Sequence, residues 1–140
     1  MNYAINYSKS GDTYEATFPD FPHIHVTASS AEGIQVNAYE ALIAELMSYM
    51  DTGRVAPVPQ AEPNPSYMPL PPSLGPKILL HNLLVEQNKS RAWLSRQMGV
   101  SRQVMTRMFT LRETTKVETI QNGLDALGYE MVITVRPRPR

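Results

Sequence analysis

The chain has 140 residues, no cysteine, and equal numbers of acidic and basic side chains. This length permits one ordinary domain or two very small ones, and the lack of cysteine excludes a disulfide framework, a thiolate metal site and a cysteine nucleophile. The start of the sequence lacks the basic region and apolar run of a signal peptide, and the most apolar later stretch, residues 41–50, is interrupted by Glu45. We therefore expect a soluble, cytoplasmic protein.

Charge is distributed unevenly along the sequence. Residues 1–64 contain two basic and eight acidic side chains, a net charge of −6, whereas residues 77–140 contain eleven basic and five acidic ones, a net charge of +6. Such a split suggests that each half meets a different kind of partner. The basic half is a candidate for binding nucleic acid.

The first half is predicted to begin with a three-stranded meander. Apolar and polar residues alternate over residues 2–8 and 13–18, and again in a shorter run over residues 24–26. This is the period-two pattern of half-buried strands. Residues 56–58 are predicted as a further, short edge strand.

A helix is predicted after the meander. Ser29 and Glu32 have capping-box spacing, and the proline-free run that follows predicts a helix over about residues 31–51. Its apolar stripes are wider than one sheet contact requires, which suggests a second buried surface, such as one against a partner subunit. The order βββα with a short edge strand predicts a small α+β layer.

A proline-rich segment follows this layer. Eight prolines lie between residues 57 and 76, and each fixes φ and removes an N–H donor. An extended, partly polyproline II spacer is expected. The predicted organisation is therefore an N-terminal domain over residues 1–60, a linker over 61–76 and a C-terminal domain over 77–140.

The C-terminal domain is predicted to be helical and to contain a helix-turn-helix. Pro76 suits the first turn of a helix that ends before Asn88. Ser90 and Ser101 are predicted N-caps of helices over residues 91–98 and 102–109, and Gly99 suits the left-handed position that ends the first of them. Their apolar side chains are expected to converge on one small core. These are Leu94, Met98, Val100, Val104 and Met108.

The polar face of this unit predicts DNA binding. Arginine and glutamine at the start of a recognition helix can read base edges in the major groove, and cations and free N–H groups at the start of the preceding helix can hold phosphates. The predicted base-reading face comprises Ser101, Arg102, Gln103, Thr106 and Arg107. The predicted phosphate contacts are Lys89, Ser90, Arg91 and Arg96. A solvated helical hairpin is the alternative, but the caps, the core pattern and the positive charge together favour DNA binding.

The end of the chain carries the pattern of one more helix and a strand. Thr115 and Glu118 have capping-box spacing for a helix that Gly128 stops. Residues 129–136 then alternate as a strand, with one face formed by Tyr129, Met131, Ile133 and Val135.

A lone strand leaves its backbone groups unpaired. Pairing with the same strand of a second chain is the simplest solution, and packing on the N-terminal sheet is the alternative. We predict a dimer whose recognition helices face half-sites roughly 10 bp apart.

Catalytic and metal sites are not expected. His23 and His25 have metal-ligand spacing, but the only other histidine, His81, lies in the far half, so we interpret them as surface histidines. Among the predicted strands only Glu15, with Asp20 in the following loop, offers carboxylates for a magnesium site, so nuclease activity is not expected. No cofactor is predicted.

The chain resembles the HicB family of type II antitoxins, in the subgroup with a C-terminal helix-turn-helix. The resemblance is carried by the opening strand, the element Phe18-Pro19-Asp20-Phe21-Pro22, residues 27–32 leading into the helix, and the helix-turn-helix. It implies that the N-terminal half is a partial RNase H-like fold that binds and covers a small HicA-like, mRNA-cleaving toxin. Candidate toxin contacts are then Asp20, Phe21, His23 and His25.

The same resemblance implies that the antitoxin, as a homodimer or a dimer of dimers, represses its own operon. The acidic N-terminal half would complement a basic, RNA-binding toxin. Two alternatives remain open from the sequence. One is a transcriptional regulator whose N-terminal half senses a small molecule, and the other makes that half a nuclease.

Overall fold

The computed structural model describes residues 1–59 and 63–137, and in these ranges the chain forms two small sheets and five helices. The strands are β1 (Asn2–Ala4), β2 (Asn6–Ser10), β3 (Thr13–Phe18), β4 (Phe21–Ala28) and β5 (Tyr67–Pro69). The helices are α1 (Ala31–Asp51), α2 (Gly75–Glu86), α3 (Arg91–Met98), α4 (Arg102–Met108) and α5 (Val117–Ala126). The expectation of an α+β N-terminal part followed by a helical part is confirmed.

Strands β2, β3 and β4 form the predicted antiparallel meander. The first predicted strand, however, is divided at Ile5, whose N–H donates to the carbonyl of Ser66 at 3.1 Å. The chain therefore leaves one sheet and enters the other at this residue. Tyr3 and Ile5 are buried as the alternation predicts, whereas Tyr7, beyond the division, is exposed.

Helix α1 has the predicted bounds, but its cap lies one residue later than expected. The Ser30 side chain, rather than that of Ser29, accepts a hydrogen bond from Gly33 N at 3.0 Å. The helix packs on β3 and β4 and also contacts the C-terminal half, where Leu111 N donates to Met47 Sδ at 3.2 Å. Part of the second buried surface of α1 is thus provided by the same chain.

The described part of the proline-rich segment is packed rather than free. Its residues 67–69 form β5, which pairs antiparallel with β1 so that Tyr3 lies opposite Met68. Leu70 N donates to Met1 O at 2.9 Å, and the Met68 and Leu70 side chains are buried. The edge strand expected at residues 56–58 does not form, and β5 takes that role; the predicted boundary at residues 60–61 lies outside the described residues.

The two halves share one hydrophobic core that extends from Tyr3 to Leu127. Asn82 of α2 reinforces it, because its side chain accepts from Ala56 N at 2.8 Å and donates to Ala56 O at 2.9 Å. His81 Nε2 lies 2.7 Å from the carbonyl oxygen of Arg54, and the Tyr3 hydroxyl donates to Pro57 O at 2.8 Å. The structure therefore differs from the expectation of two bodies joined by a spacer.

Helix α2 carries Pro76 in its first turn as predicted, and Asn88, with φ of 56°, follows its end. The capping box expected at Thr115 and Glu118 is wrong, because Lys116 is the N-cap residue of α5. The Thr115 hydroxyl donates instead to Arg107 O at 3.1 Å. At Gly123 of α5 an added Cβ would lie 3.2 Å from both Leu80 Cδ2 and Met108 Cε, so α5 lies close against α2 and α4.

The strand predicted over residues 129–136 does not form within a single chain. These residues also take no part in the N-terminal sheets, so the alternative of strand packing there is wrong. Val132, Ile133 and Val135 are highly exposed, the last with 95% of its surface accessible. No helix in the described part of the chain is long and apolar enough to cross a bilayer.

Candidate nucleic-acid interface

Helix α3 begins and ends at the residues that the sequence indicates. The Ser90 side chain accepts from Trp93 N at 3.0 Å, and Gly99 ends the helix in the left-handed region, with φ of 67°. The Ser95 hydroxyl donates across the turn to Val100 O at 2.8 Å. The turn between α3 and α4 is therefore held by side-chain as well as backbone hydrogen bonds.

Helix α4 starts at a second serine cap, where Ser101 accepts from Val104 N at 3.2 Å. Leu94 and Met108 are buried between the helices as predicted. Met98, Val100 and Val104 are half-buried, and Met105, absent from the predicted core, is also buried. This packing gives α4 one apolar face and leaves the other to solvent.

All five residues predicted to read bases lie on the exposed face. They are Ser101, Arg102, Gln103, Thr106 and Arg107. The Thr106 hydroxyl donates to Arg102 O at 3.0 Å, so it is held close to the helix. Neither arginine side chain forms an ion pair within residues 1–59 and 63–137. The face therefore presents two uncompensated guanidinium groups.

The predicted phosphate contacts divide into two groups. Lys89, Ser90 and Arg96 are exposed. Arg91 instead points inward, where its Nη2 donates to Met50 O at 2.9 Å and its guanidinium lies 4.6 Å from the Phe109 ring centroid. Burial lowers the pKa of Arg91, while Asp51 acts in the opposite direction. A cation beside the last carbonyls of α1 is favoured by the helix dipole, so Arg91 joins the start of α3 to the end of α1.

The candidate toxin contacts also differ in their accessibility. Phe21 is fully buried, 5.3 Å from the Tyr3 ring centroid, and is not accessible to a partner. His23 and His25 are exposed on β4, and His25 Nε2 lies 3.8 Å from Glu15 Oε1. Asp20 precedes β4, and burial raises its pKa. One of its oxygens, Oδ2, is buried and has no hydrogen-bond partner among the described residues.

Metal-binding geometry is not found at these residues. Among residues 1–59 and 63–137, no three His, Cys, Asp or Glu side chains lie close enough together to hold a metal ion.

An apolar cleft of about 790 Å³ lies between α2, α5 and the segment that follows α5. Leu79 of α2 and Val117 of α5 line it and are almost half exposed. Of the residues predicted to form a dimer, Tyr129, Met131 and Ile133 line the cleft, whereas Val135 is not part of its wall. The C-terminal segment thus adds exposed apolar surface to an existing apolar cleft.

Three polar side chains with structural roles were not identified from the sequence: Lys77, His81 and Asn82, all buried in α2. Their position in an apolar run was the available signal, because it indicates burial. A buried polar group in turn requires a hydrogen-bond partner. The partners lie 26 to 36 residues away in the sequence, which no local pattern reveals.

Sequence comparisons relate this chain to antitoxins. Antitoxin HicB 2 of Photorhabdus laumondii is 29% identical over 128 residues, covering 91% of each chain. Antitoxin HicB of Escherichia coli K12 is 25% identical over 123 residues, covering 87% of this chain and 89% of its own length. Antitoxin HicB of Pseudomonas fluorescens is 25% identical over 137 residues, covering 96% and 94%, so the similarity extends through both halves.

The model of a protein family matches residues 2–73, which include the meander, α1 and β5. That family is described as HicB-like antitoxins of bacterial toxin–antitoxin systems. An antitoxin implies a toxin partner. The match covers just over half of the sequence, and the chain therefore belongs to the family of HicB-like antitoxins.

Proposed function

We propose that this chain is the antitoxin of a type II toxin–antitoxin system that binds and neutralises a HicA-like, mRNA-cleaving toxin. The family match over residues 2–73 carries this proposal. The acidic N-terminal half supports it, because an enzyme that binds RNA is expected to be basic and a complementary charge speeds encounter. On the sheet side, exposed His23 and His25 and the half-buried Glu15 are available to such a partner.

The α3–α4 unit is, in this proposal, a helix-turn-helix that represses the antitoxin's own operon. Arg102, Gln103 and Thr106 would face base edges, while Lys89, Ser90 and Arg96 would contact phosphates. All six residues are exposed, which both roles require. Arg91 supports the unit indirectly, by attaching α3 to α1.

The operator-binding form is proposed to be a homodimer, or a dimer of two such dimers. Residues 129–136 have an alternating sequence but form no strand in one chain, and most of their apolar side chains remain exposed beside the cleft lined by Leu79 and Val117. Pairing of two such segments about a two-fold axis would satisfy their backbone groups and cover this surface.

Expression of the neighbouring gene with and without this chain tests the antitoxin function. We expect the neighbouring product to arrest growth alone, to be harmless with this chain, and to co-purify with it. A harmless product, or one that is toxic regardless of this chain, would contradict the proposal. Co-purification also separates it from a regulator that senses a small molecule, which needs no protein partner.

A further inference from the structure

Lys77 lies in the first turn of α2 and is completely buried. Its ammonium group contacts three backbone carbonyls that belong to the end of α4 and the turn after it. Nζ donates to Arg107 O at 2.7 Å, to Thr110 O at 2.8 Å and to Glu113 O at 2.6 Å. An ammonium group has three N–H donors, so these contacts saturate it.

Helix α2 itself does not explain a lysine at this position. The first turn of a helix carries partial positive charge, which disfavours a cation there, and burial of an unpaired charge is costly. Burial accordingly lowers the pKa of Lys77, while Glu113 raises it. The reason for the lysine must therefore lie in the carbonyls that it contacts.

The end of α4 requires a positively charged hydrogen-bond donor from outside the helix. The last carbonyls of a helix have no partner within it and carry partial negative charge. After α4, Phe109 N donates to Met105 O at 3.2 Å, and Thr110 N makes a longer contact of 3.4 Å with Arg107 O. Lys77 and the Thr115 hydroxyl both donate to that same Arg107 carbonyl and so complete the C-terminal cap of α4.

We propose that Lys77 is a positioning residue for DNA recognition, which fixes the end of α4 and the turn over residues 109–115 to α2. Helix α4 has only seven residues, and a helix of two turns is unstable without tertiary support. Arg107 lies in its last turn and contributes both the carbonyl that Lys77 holds and a side chain on the exposed face. Loss of the anchor therefore displaces the base-reading side chains. This inference rests on the proposed DNA-binding function.

The test uses the full chain with Lys77→Met, which keeps the length of the side chain but removes charge and donors, and Lys77→Arg, which keeps both. Lys9→Met is the matched control, because it removes one positive charge from the N-terminal half. Two DNA duplexes of equal length are compared: the region upstream of the gene for this chain, and an unrelated sequence. Hydrogen exchange of the amides of residues 107–115 and thermal unfolding are measured in parallel.

We expect Lys77→Met to weaken binding to the upstream DNA about tenfold, and to leave binding to the unrelated DNA within about twofold, because phosphate contacts from α3 remain. The amides of residues 107–115 should exchange faster. Lys77→Arg should retain most of the discrimination, and Lys9→Met all of it. A purely structural role predicts a different result, since partial unfolding weakens binding to both DNAs by the same factor.

Equal losses on both DNAs, or unchanged discrimination with unchanged exchange, would overturn the inference. Should Lys77→Met not fold, Lys77→Gln, which keeps a donor without the charge, replaces it with the same expected results. If the wild-type chain does not discriminate between the duplexes, the proposed DNA-binding function fails. In that case hydrogen exchange still tests whether Lys77 anchors the end of α4. Faster exchange in Lys77→Met that is confined to residues 107–115 supports the anchoring role, and unchanged exchange refutes it.

Discussion

Replacement of Asn82 by leucine should destabilise the whole chain, because one side chain satisfies two buried backbone groups of Ala56. Asn82 is 6% exposed and Ala56 is 1% exposed, so water cannot replace the lost hydrogen bonds without a rearrangement. Each buried donor or acceptor left without a partner costs about 1–3 kcal/mol. Burial of the leucine offsets part of this, and we expect a net loss of about 3 kcal/mol.

This loss is a large fraction of the stability of a typical domain, which is about 5–15 kcal/mol. It corresponds to a decrease in melting temperature of roughly 10 °C for a chain of this size. Urea unfolding followed by circular dichroism measures the free energy directly, with the slope against urea checked for a change in the unfolded state.

The exposed Asn122 of α5 provides the matched control, since Asn122→Leu makes the same chemical change at the surface. It should alter stability by less than about 0.5 kcal/mol. An Asn82→Leu variant as stable as the wild type would refute the argument that these two hydrogen bonds hold the N-terminal and C-terminal halves together.

Three further predictions concern the proposed DNA-binding residues, the C-terminal segment and His81. Arg102→Ala should cost about 1–3 kcal/mol of operator affinity and relax base preference, whereas Arg96→Ala should weaken all sequences alike; equal, sequence-independent losses in titrations with two operators would contradict the assigned roles. Truncation after Gly128 should abolish dimerisation and weaken operator binding, as measured by light scattering and gel shift, and a truncated chain that still dimerises and binds as tightly would exclude the strand pairing. Burial lowers the pKa of His81, so the unfolded chain takes up a proton that the folded chain does not, and stability should fall as the pH drops below about 6.5. Urea unfolding on both sides of that pH measures how strongly the free energy of unfolding depends on pH. This dependence should be weaker in His81→Gln than in the wild type or in the exposed control His23→Gln, and equal dependence in all three would count against a buried neutral imidazole.

Most secondary structure could be predicted because it depends on local chemistry. Ser90 and Ser101 cap their helices through hydrogen bonds to amides three residues away, and Gly99 adopts its left-handed conformation without help from distant residues. The cap at Ser30 was misplaced by one residue because Ser29 and Ser30 offer the same hydroxyl and only the geometry selects between them.

The candidate site was predicted only in part. The exposed face of α4 follows in part from helical periodicity, since residues 103, 106 and 107 lie opposite the buried Met105 and Met108, whereas residues 101 and 102 are exposed at the start of the helix. The inward direction of Arg91 does not follow, because its partner, the carbonyl of Met50, is 41 residues away. A basic residue at the start of a helix has the same local pattern whether it faces a phosphate or another helix.

The helices, the caps at Ser90 and Ser101, the uneven charge and the family resemblance could all be read from the sequence, because each depends on neighbouring residues or on composition. The packing of residues 67–69 as β5 against β1, and the single core shared by the two halves, could be found only in the folded structure. The same holds for Lys77, whose buried ammonium group joins α2 to the end of α4. These contacts join residues far apart in the chain, and such partners are fixed by packing rather than by local propensity.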